Sequence, residues 1–524
     1  MSSLLRSNVA VATGTAISRV TGLARVAVLG IVIGQAGLTD AYNQANSTPN
    51  LVYELLLGGV LSATLVPLFT RLDHEEDRDG TSAVLSVAAV VLAGITVVSV
   101  VAAPLVFHMY SWLTASSVDA AQYRRVGSVL ARIFLVQIFF YGLNALGSAL
   151  LNARRRFFAA AWVPALSNVI IIGSLLLVPG TVEGGVPGLD DVLSNDRLRW
   201  TLGLGATVGI AVMALGLVPS LVAAKAPLRF NPDFRNPAVK RLRSLSGWAF
   251  GYVVANQIAI LVIQNLTRAG SGNQDAYTKA FTFFVLPHGL LAMSIATTFL
   301  PEMASAITQH DRARFIDRTS LGIRLIGLLT VPAAFGLFVL RRAIIGLAFQ
   351  HGEFSAAAAD NTARALAGFA LGLFGFSIYL FALRAFYAHQ DARTPFVINV
   401  FENLLNIAFA LLLVDRYGIM GLGLSFALAY LISSLWTLQV LSYKVPGFPL
   451  RDVMASLWRT MLASVVMAEA VWAVAHLVGD NVGLGAVARV GAATIVGVAV
   501  YMGILAVLQA PELIELRSRL HPAG

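Results

Sequence analysis

Two arginines interrupt the first long apolar stretch of the chain. Ser18, Gly22 and Arg25 are spaced at i, i+4 and i+7, which places them on one stripe of a helix, and Arg19 lies about 100° away. Guanidinium groups donate paired N–H bonds to phosphate oxygens, and Gly22 would let a headgroup or another helix approach closely. The stripe therefore predicts contact with a phosphate-bearing ligand; the alternative is that Arg19 reaches water or makes a structural ion pair.

The next apolar stretch carries acidic and amide side chains. Asp40 stands near its beginning, where it either caps the helix or pairs with an arginine. Glu54 lies deeper, where an unpaired carboxylate would take up a proton, so a basic partner or a proton-carrying role is expected. Asn50 offers amide contacts to a sugar or a peptide, or hydrogen bonds between helices. All three are candidate ligand-binding residues.

A continuous polar face runs through a later apolar stretch. Asn399, Glu402, Asn403 and Asn406 follow one another at i, i+3, i+4 and i+7. Carboxylate and amide oxygens suit hard cations, and Asn256 on another helix would add one more. The face predicts either a site for a coupling ion, Na⁺ or H⁺, or hydrogen bonds between helices.

Signals of enzymatic chemistry are missing from the sequence. Its eight histidines show no HExxH spacing, no glycine-rich phosphate loop precedes a Lys-Ser or Lys-Thr pair, and there is no cysteine. We therefore expect no catalytic residues, no cofactor and no confident metal site. Transport by such a chain would draw on ion gradients, membrane potential or substrate flux.

The amino-acid composition indicates whether these side chains belong to a soluble or a membrane protein. Hydrophobic residues make up 57% of the 524 and charged residues only 12%, with a mean hydropathy of +0.76. Soluble domains carry about 25% charged residues, and blocks of about 20 apolar residues cross about 30 Å of hydrocarbon. The chain is predicted to be an all-α, multi-pass membrane protein. We attribute its net charge of +10 to loops that face anionic lipid, and we expect no nucleic-acid partner.

Hydropathy predicts about fourteen membrane-spanning helices, and loop charge predicts their orientation. Lysine and arginine are about twice as frequent in one alternating set of loops, which places both termini in the cytoplasm. The predicted spans cover residues 8–35, 41–70, 81–113, 124–152, 158–178, 200–224, 244–268, 276–303, 319–341, 361–388, 395–414, 418–443, 452–478 and 485–509.

A repeat with an offset of about 235 residues suggests two similar halves. Asp-Ala-Tyr begins at Asp40 and again at Asp275, and each is followed by a proline-containing segment. Six helices separate the copies, so we expect two parallel six-helix lobes around a central cavity. The predicted boundaries are 1–224 for the first lobe, 225–443 for the second, and 444–524 for two further helices and a short tail. Lys279, which corresponds to Gln44, would line the second lobe.

Several segments resemble the MurJ/MviN family. They are SRVTGLAR at residues 18–25, TDAY at 39–42, PNL at 49–51, Val66-Pro67, and YAHQDARTP at 387–395. The chain departs from the family pattern in three ways. Val26 replaces an acidic residue, the pair Tyr53-Glu54 replaces two arginines, and a basic residue of the eighth span has no exact match, Lys279 being the nearest. The resemblance otherwise extends along essentially the whole chain.

The resemblance implies a bacterial flippase of the multidrug/oligosaccharidyl-lipid/polysaccharide exporter superfamily. Its members move lipid II, the undecaprenyl-diphosphate-linked precursor of peptidoglycan, to the outer leaflet of the plasma membrane. The implied partners are lipid II, membrane lipids and cell-wall synthesis proteins. The alternative functions are export of another polyprenyl-linked glycan or multidrug antiport.

Overall fold

The computed structural model describes residues 3–53, 65–244, 247–389 and 391–510. These residues form α-helices joined by short loops, with one isolated parallel bridge between Thr114 and Ala269. The all-helical fold predicted from composition is confirmed. Glu54, one of the candidate ligand-binding residues, lies outside the described residues.

The helices divide into two compact units. The first unit extends to Asp275 and includes the short segment His351–Phe354. Its helices are α1 (Ser3–Ile33), α2 (Gly37–Tyr53), α3 (Val66–His74), α4 (Arg78–Val101), α5 (Ala103–Tyr110), α6 (Ala120–Leu135), α7 (Gln137–Ala153), α8 (Phe158–Leu176), α9 (Leu189–Ser194), α10 (Asp196–Leu215), α11 (Val218–Ala223), α12 (Pro237–Ser244) and α13 (Gly247–Leu266).

The second unit contains the rest of the chain from Ala276 onward. Its helices are α14 (Asn273–Pro287, whose first turn belongs to the first unit), α15 (Met293–Thr308), α16 (Arg312–Phe349), α17 (Ala356–Ala370), α18 (Leu373–Ala388), α19 (Arg393–Tyr417), α20 (Ile419–Lys444), α21 (Leu450–Leu477) and α22 (Gly483–Val507). The boundaries predicted after residues 224 and 443 describe a sequence repeat and stay predictions.

The count of spans is lower in the structure than in the sequence analysis. Within the described residues, eleven helical segments are long and apolar enough to cross a membrane, or twelve if α17 and α18, bent by 47°, form one span. The predicted number of fourteen is not confirmed. Three predicted spans account for the difference: 41–70 lies partly outside the described residues, 244–268 corresponds to the shorter apolar helix Gly251–Leu266, and 361–388 corresponds to the bent pair α17 and α18.

Short polar side chains determine where many helices begin. Asp77, Asp119, Asn195 and Asp311 each accept a hydrogen bond from a backbone N–H in the first turn of the helix that follows, at 2.7 to 3.1 Å. These bonds satisfy N–H groups that have no partner inside the helix. Side chains in the loops therefore provide the hydrogen-bond acceptors for the first N–H groups of these helices.

Small residues bring α17 and α20 into close contact. A Cβ atom added at Gly368 would lie 2.5 Å from the Met420 carbonyl oxygen, and one added at Gly423 would lie 2.6 Å from the Ala365 carbonyl oxygen. Close backbone approach is the usual way in which membrane helices gain packing energy, because lipid offers no hydrophobic driving force between them. This contact fixes α20 beside the helices that carry the buried polar groups of the second unit.

Candidate functional site

The predicted stripe of α1 lies partly against a neighbouring helix of the first unit. The Asn168 amide on α8 donates to the Ser18 carbonyl oxygen at 3.2 Å and to the Thr21 hydroxyl at 3.1 Å. A Cβ atom at Gly22 would stand 3.5 Å from the same amide nitrogen. At Ser18 and Gly22, therefore, the close approach that the sequence predicted is made by a helix.

The two arginines of α1 differ in their surroundings. Arg19 is exposed, whereas Arg25 is half-buried and its charge interacts with Tyr42 on α2. The Tyr42 ring packs edge-on against Phe134, with centroids 5.3 Å apart, which holds the phenol in place. Among the described residues, neither guanidinium makes a salt bridge or a hydrogen bond. Arg25 thus combines partial burial with donors that a phosphate group would satisfy.

Asp40 forms hydrogen bonds with the backbone at the beginning of α14. Its carboxylate accepts hydrogen bonds from the backbone N–H groups of Gly270, Gly272 and Asp275, at 3.1, 2.8 and 2.9 Å. Gly270 and Gly272 have φ of +89° and +80°, a conformation that glycine adopts at little cost, so both N–H groups can point at one carboxylate. The fully buried Asp40 therefore caps α14, 230 residues away in sequence, instead of its own helix.

A fourth hydrogen bond joins the same two segments. The Asn43 amide donates to the Asp275 carboxylate at 2.8 Å. The two Asp-Ala-Tyr sequences are therefore in contact. The carboxylate of Asp40 accepts from the backbone N–H of Asp275, and Asn43 donates to the side chain of Asp275. A role for Asp40 in ligand binding stays a prediction. Asn50 lies in the last turn of α2, and its role stays a prediction too.

Gln44 and Lys279, which correspond in the repeat, are both buried. Gln44 donates to the Tyr110 carbonyl oxygen at 2.5 Å and accepts from the Tyr123 hydroxyl at 2.9 Å. Lys279 is fully buried on α14, with its ammonium nitrogen 5.9 Å from the centroid of the Phe349 ring. The amide thus joins three helices of the first unit, whereas the second unit places a cation over an aromatic face.

The polar face predicted on α19 is buried in the second unit. Asn399, Glu402, Asn403 and Asn406 are each at most 7% exposed. The Asn403 amide donates to the Asn399 carbonyl oxygen at 2.8 Å, and the Ser425 hydroxyl of α20 donates to Asn406 at 3.0 Å. Hydrogen bonding between helices, one of the two predicted roles, therefore accounts for Asn406.

Glu402 is the charged member of this face. It shares a hydrogen bond with Tyr430 on α20, and Tyr277 on α14 lies close enough to interact with it electrostatically. Its second carboxylate oxygen, Oε2, is buried without a hydrogen-bond partner among the described residues. An unpartnered buried oxygen is costly, so this atom is the place on α19 where a proton or a cation would be stabilised.

Two features of this region were not expected from sequence. Tyr430 is separated from Glu402 by 27 residues on the next helix, and no local pattern connects them. Asn256, which we expected to add an oxygen, lies on α13 in the first unit and donates to the Tyr252 carbonyl oxygen of its own helix at 2.9 Å. No group of three or more His, Cys, Asp or Glu side chains suited to a metal occurs among the described residues.

Asp391 forms hydrogen bonds at the beginning of α19, outside the membrane-spanning segment. It accepts from the Thr394 backbone N–H at 3.0 Å, from the Thr394 hydroxyl at 2.6 Å and from Lys444 Nζ at 2.7 Å. Partial burial opposes ionisation of Asp391, but the bonds from Lys444 and Thr394 outweigh it and lower its pKa to about 2. The residue therefore stays charged over the physiological pH range and holds α19 to the end of α20.

Comparison with known proteins identifies the family. The family model described as "Lipid II flippase MurJ" matches residues 30–492. The chain belongs to this family. It is 28% identical over 438 residues to the lipid II flippase MurJ of Burkholderia cenocepacia, which covers 82% of each chain. It is 25% identical over 509 residues to the probable lipid II flippase MurJ of Rickettsia prowazekii, covering 95% of this chain and 97% of that one.

Solved structures agree on the fold. A MurJ structure described as inward closed matches with a TM-score of 0.78 and 22% identity, and covers 96% of this chain and 99% of that chain. An inward-facing multidrug transporter of the MATE family matches with a TM-score of 0.67 and 12% identity, over 82% of this chain and 95% of that one. The MurJ fold is therefore shared with the wider transporter superfamily, as the sequence resemblance implied.

Proposed function

We propose that this protein is a lipid II flippase that moves the undecaprenyl-diphosphate-linked precursor across the membrane by alternating access. The observation that carries this proposal is the match of the MurJ family model to residues 30–492. Curated relatives with lipid II flippase names align over most of the chain, which favours this function over export of another lipid-linked glycan or of drugs. The product would supply cell-wall synthesis proteins on the outer surface.

Arg25 is the residue that we assign to the diphosphate. It is half-buried beside Tyr42, and a charge held in an apolar helix costs about 2.5 to 3.5 kcal/mol at the bilayer centre, so the chain retains it for an interaction. A planar guanidinium donates two parallel hydrogen bonds to phosphate oxygens. Arg19 is exposed one position beyond Ser18 and would add a second, weaker contact.

We place the protein in the plasma membrane with both termini in the cytoplasm. The basic loops support this orientation, because lysine and arginine are retained on the cytoplasmic side of membrane proteins. The segment 154–156, with three consecutive arginines between α7 and α8, is the strongest such signal. Arg154 is also held structurally, by a salt bridge to Asp73 at 2.8 Å, so loop charge and local packing act together there.

We propose that Glu402 carries the coupling ion, Na⁺ or H⁺. Burial, the hydrogen bond with Tyr430 and the second oxygen without a described partner support this role. If so, Glu402→Gln combined with Asn403→Leu should reduce transport and abolish its dependence on the ion. Transport by this double variant with a normal ion dependence would leave hydrogen bonding between helices as the only role of the face.

The function is tested by depleting the protein in its native cell and measuring lipid II in each leaflet. Accumulation in the inner leaflet alone is expected, and an unchanged distribution would contradict the proposal. Arg25→Ala should fail to complement the depletion while remaining folded, and Arg25→Lys should complement partly, because lysine keeps the charge but loses the planar fork. Arg155→Ala is the matched control, since Arg154 and Arg156 retain the loop charge.

A further inference from the structure

A charged cavity lies between α16 and α21, at the ends where the two helices begin. Its volume is about 610 Å³. Arg324 and Asp317 on α16 and Arg459 and Asp452 on α21 contribute its charged lining. The two helices pack closely beside the cavity, because a Cβ atom at Gly327 would overlap the Leu457 side chain. We refer to this charged cavity as the notch.

The sequence of α16 places Arg324 at the level of the lipid headgroups. Residues 325–340 are uncharged, and Arg341 follows them. Seventeen residues of helix span about 25 Å, close to the thickness of about 30 Å of the hydrocarbon layer. Arg324 thus marks one boundary of the apolar segment and Arg341 the other, and the first twelve residues of α16 extend beyond it.

The surface of α21 supports the same level for the cavity. Trp458, next to Arg459, is 64% exposed, and tryptophan is enriched where hydrocarbon meets the headgroups. Leu462 and Val466 continue its exposed stripe at i+4 and i+8. An apolar, lipid-facing surface therefore begins beside the charged notch, as a molecule with both a charged head and hydrocarbon chains would require.

Two acidic residues, Asp317 and Asp452, also line the cavity and differ in their surroundings. Asp317 is 62% exposed and lies 3.7 Å from Arg318 Nε, which is closer, at 3.0 Å, to Glu302. Arg312 donates to the Pro446 carbonyl oxygen, which brings a third guanidinium to the loop preceding α21. Asp452, exposed in the first turn of α21, is the acidic group that opposes Arg324 and Arg459. With Arg312 beside it, the notch has three guanidinium groups against the carboxylates of Asp317 and Asp452, which favours an anion.

We propose that Arg324 and Arg459 bind the phosphate of an anionic phospholipid from the cytoplasmic leaflet. The beginning of α16 is assigned to that side because Arg312, Arg314 and Arg318 belong to the basic set of loops. Basic pockets between membrane helices on this side suit such headgroups, and guanidinium groups match phosphate geometry. The exposed stripe from Trp458 to Val466 favours a lipid over free phosphate, because it would cover the acyl chains. The site lies within the second unit and does not depend on lipid II transport.

Native mass spectrometry of the purified full-length protein tests this site with added phosphatidylglycerol or phosphatidylcholine. Wild-type protein should bind phosphatidylglycerol more tightly. Arg324→Gln and Arg459→Gln should each weaken that binding about fivefold, which corresponds to about 1 kcal/mol per basic residue, and the double variant about 25-fold. Binding of phosphatidylcholine should not change. Arg416→Gln, which removes one exposed arginine near the end of α19, is the matched control and should bind as wild type.

A variant with the opposite expected effect guards against loss of folding. Asp452→Asn should tighten phosphatidylglycerol binding by a few fold, because it removes the opposing carboxylate, and a misfolded protein would not bind more tightly. Equal binding of the two lipids by wild type, or full phosphatidylglycerol binding by the double arginine variant, would overturn the proposal. Displacement of phosphatidylglycerol by millimolar inorganic phosphate would instead show a site for free anions and would overturn the assignment to a lipid.

Discussion

Replacement of Asp40 by asparagine should destabilise the protein through the beginning of α14. In the structure Oδ2 of Asp40 accepts from Gly270 and Gly272, and Oδ1 accepts from Asp275. Asparagine retains a single acceptor oxygen, so it can keep either the pair of bonds or the single bond, and its NH₂ group then faces at least one backbone N–H. No rotation of the side chain restores all three bonds.

The magnitude follows from the bonds that are lost. A hydrogen bond to a charged group contributes about 1.5 to 3 kcal/mol, and an unsatisfied buried donor costs about 1 to 3 kcal/mol. Asp40→Asn should therefore cost about 3 kcal/mol, and Asp40→Ala more, because it leaves three N–H groups without an acceptor. Asn43→Ala, which loses the bond to Asp275, should cost about 1 to 2 kcal/mol.

Thermal unfolding in detergent and amide hydrogen exchange measure this effect. We expect a lower unfolding temperature for Asp40→Asn and faster exchange at residues 270–275, with exchange in α8 unchanged. Asp79→Asn, an exposed carboxylate in the first turn of α4, is the matched control and should change stability by less than about 0.5 kcal/mol. Wild-type unfolding temperature together with wild-type exchange at residues 270–275 would refute the capping role of Asp40.

Three further predictions concern packing, charge and topology. Gly368→Val should destabilise the second unit by about 2 kcal/mol or more in thermal unfolding, because its side chain meets the α20 backbone. Lys444→Gln should raise the pKa of Asp391 from about 2 part of the way toward 3.8, because the two bonds from Thr394 remain. Wild type loses the stability of this pair as the pH falls from about 4 to 2; the variant should lose less over that range and be about 0.5 kcal/mol less stable at neutral pH. In intact cells, Arg155→Cys should react only with membrane-permeant thiol reagents. Gly188→Cys, beyond the other end of α8, should react with impermeant reagents as well. Reversed labelling would overturn the orientation.

Local periodicity predicted the buried face of α19 but not its partners. Spacing at i, i+3, i+4 and i+7 is a property of one helix, so Glu402 and its neighbours could be placed on one face from sequence. The hydrogen bond to Tyr430 depends on how α20 packs against α19, which no single-helix pattern contains. The same limit applies to Ser18 and Gly22, whose stripe was predicted while its neighbour, Asn168, was not.

The repeat marked Asp40 and Asp275 as equivalent but gave no indication that they meet. Equivalence in a duplicated sequence relates positions by symmetry, whereas the bonds from residues 270–275 to Asp40 join the two copies directly. The predicted number of spans is unconfirmed for a different reason. A hydropathy window measures apolar content but neither helix length nor bending: the span predicted at 244–268 contains a shorter apolar helix, Gly251–Leu266, and the span predicted at 361–388 is the bent pair α17 and α18.

Basic side chains can be ranked as functional candidates by the free-energy cost of keeping each charge where it lies in the structure. Arg324 lies at the end of an uncharged segment, where a guanidinium reaches headgroups at little cost, and Arg19 is exposed. Lys279 is fully buried at a position where the other repeat uses the neutral Gln44 to hold its helices together. Desolvating an ammonium group costs several kcal/mol, and the Phe349 ring, whose centroid lies 5.9 Å from the Lys279 nitrogen, contributes to offsetting that cost. The half-buried Arg25, whose guanidinium makes no salt bridge or hydrogen bond among the described residues, is thus the cation whose retention argues most strongly for an anionic substrate.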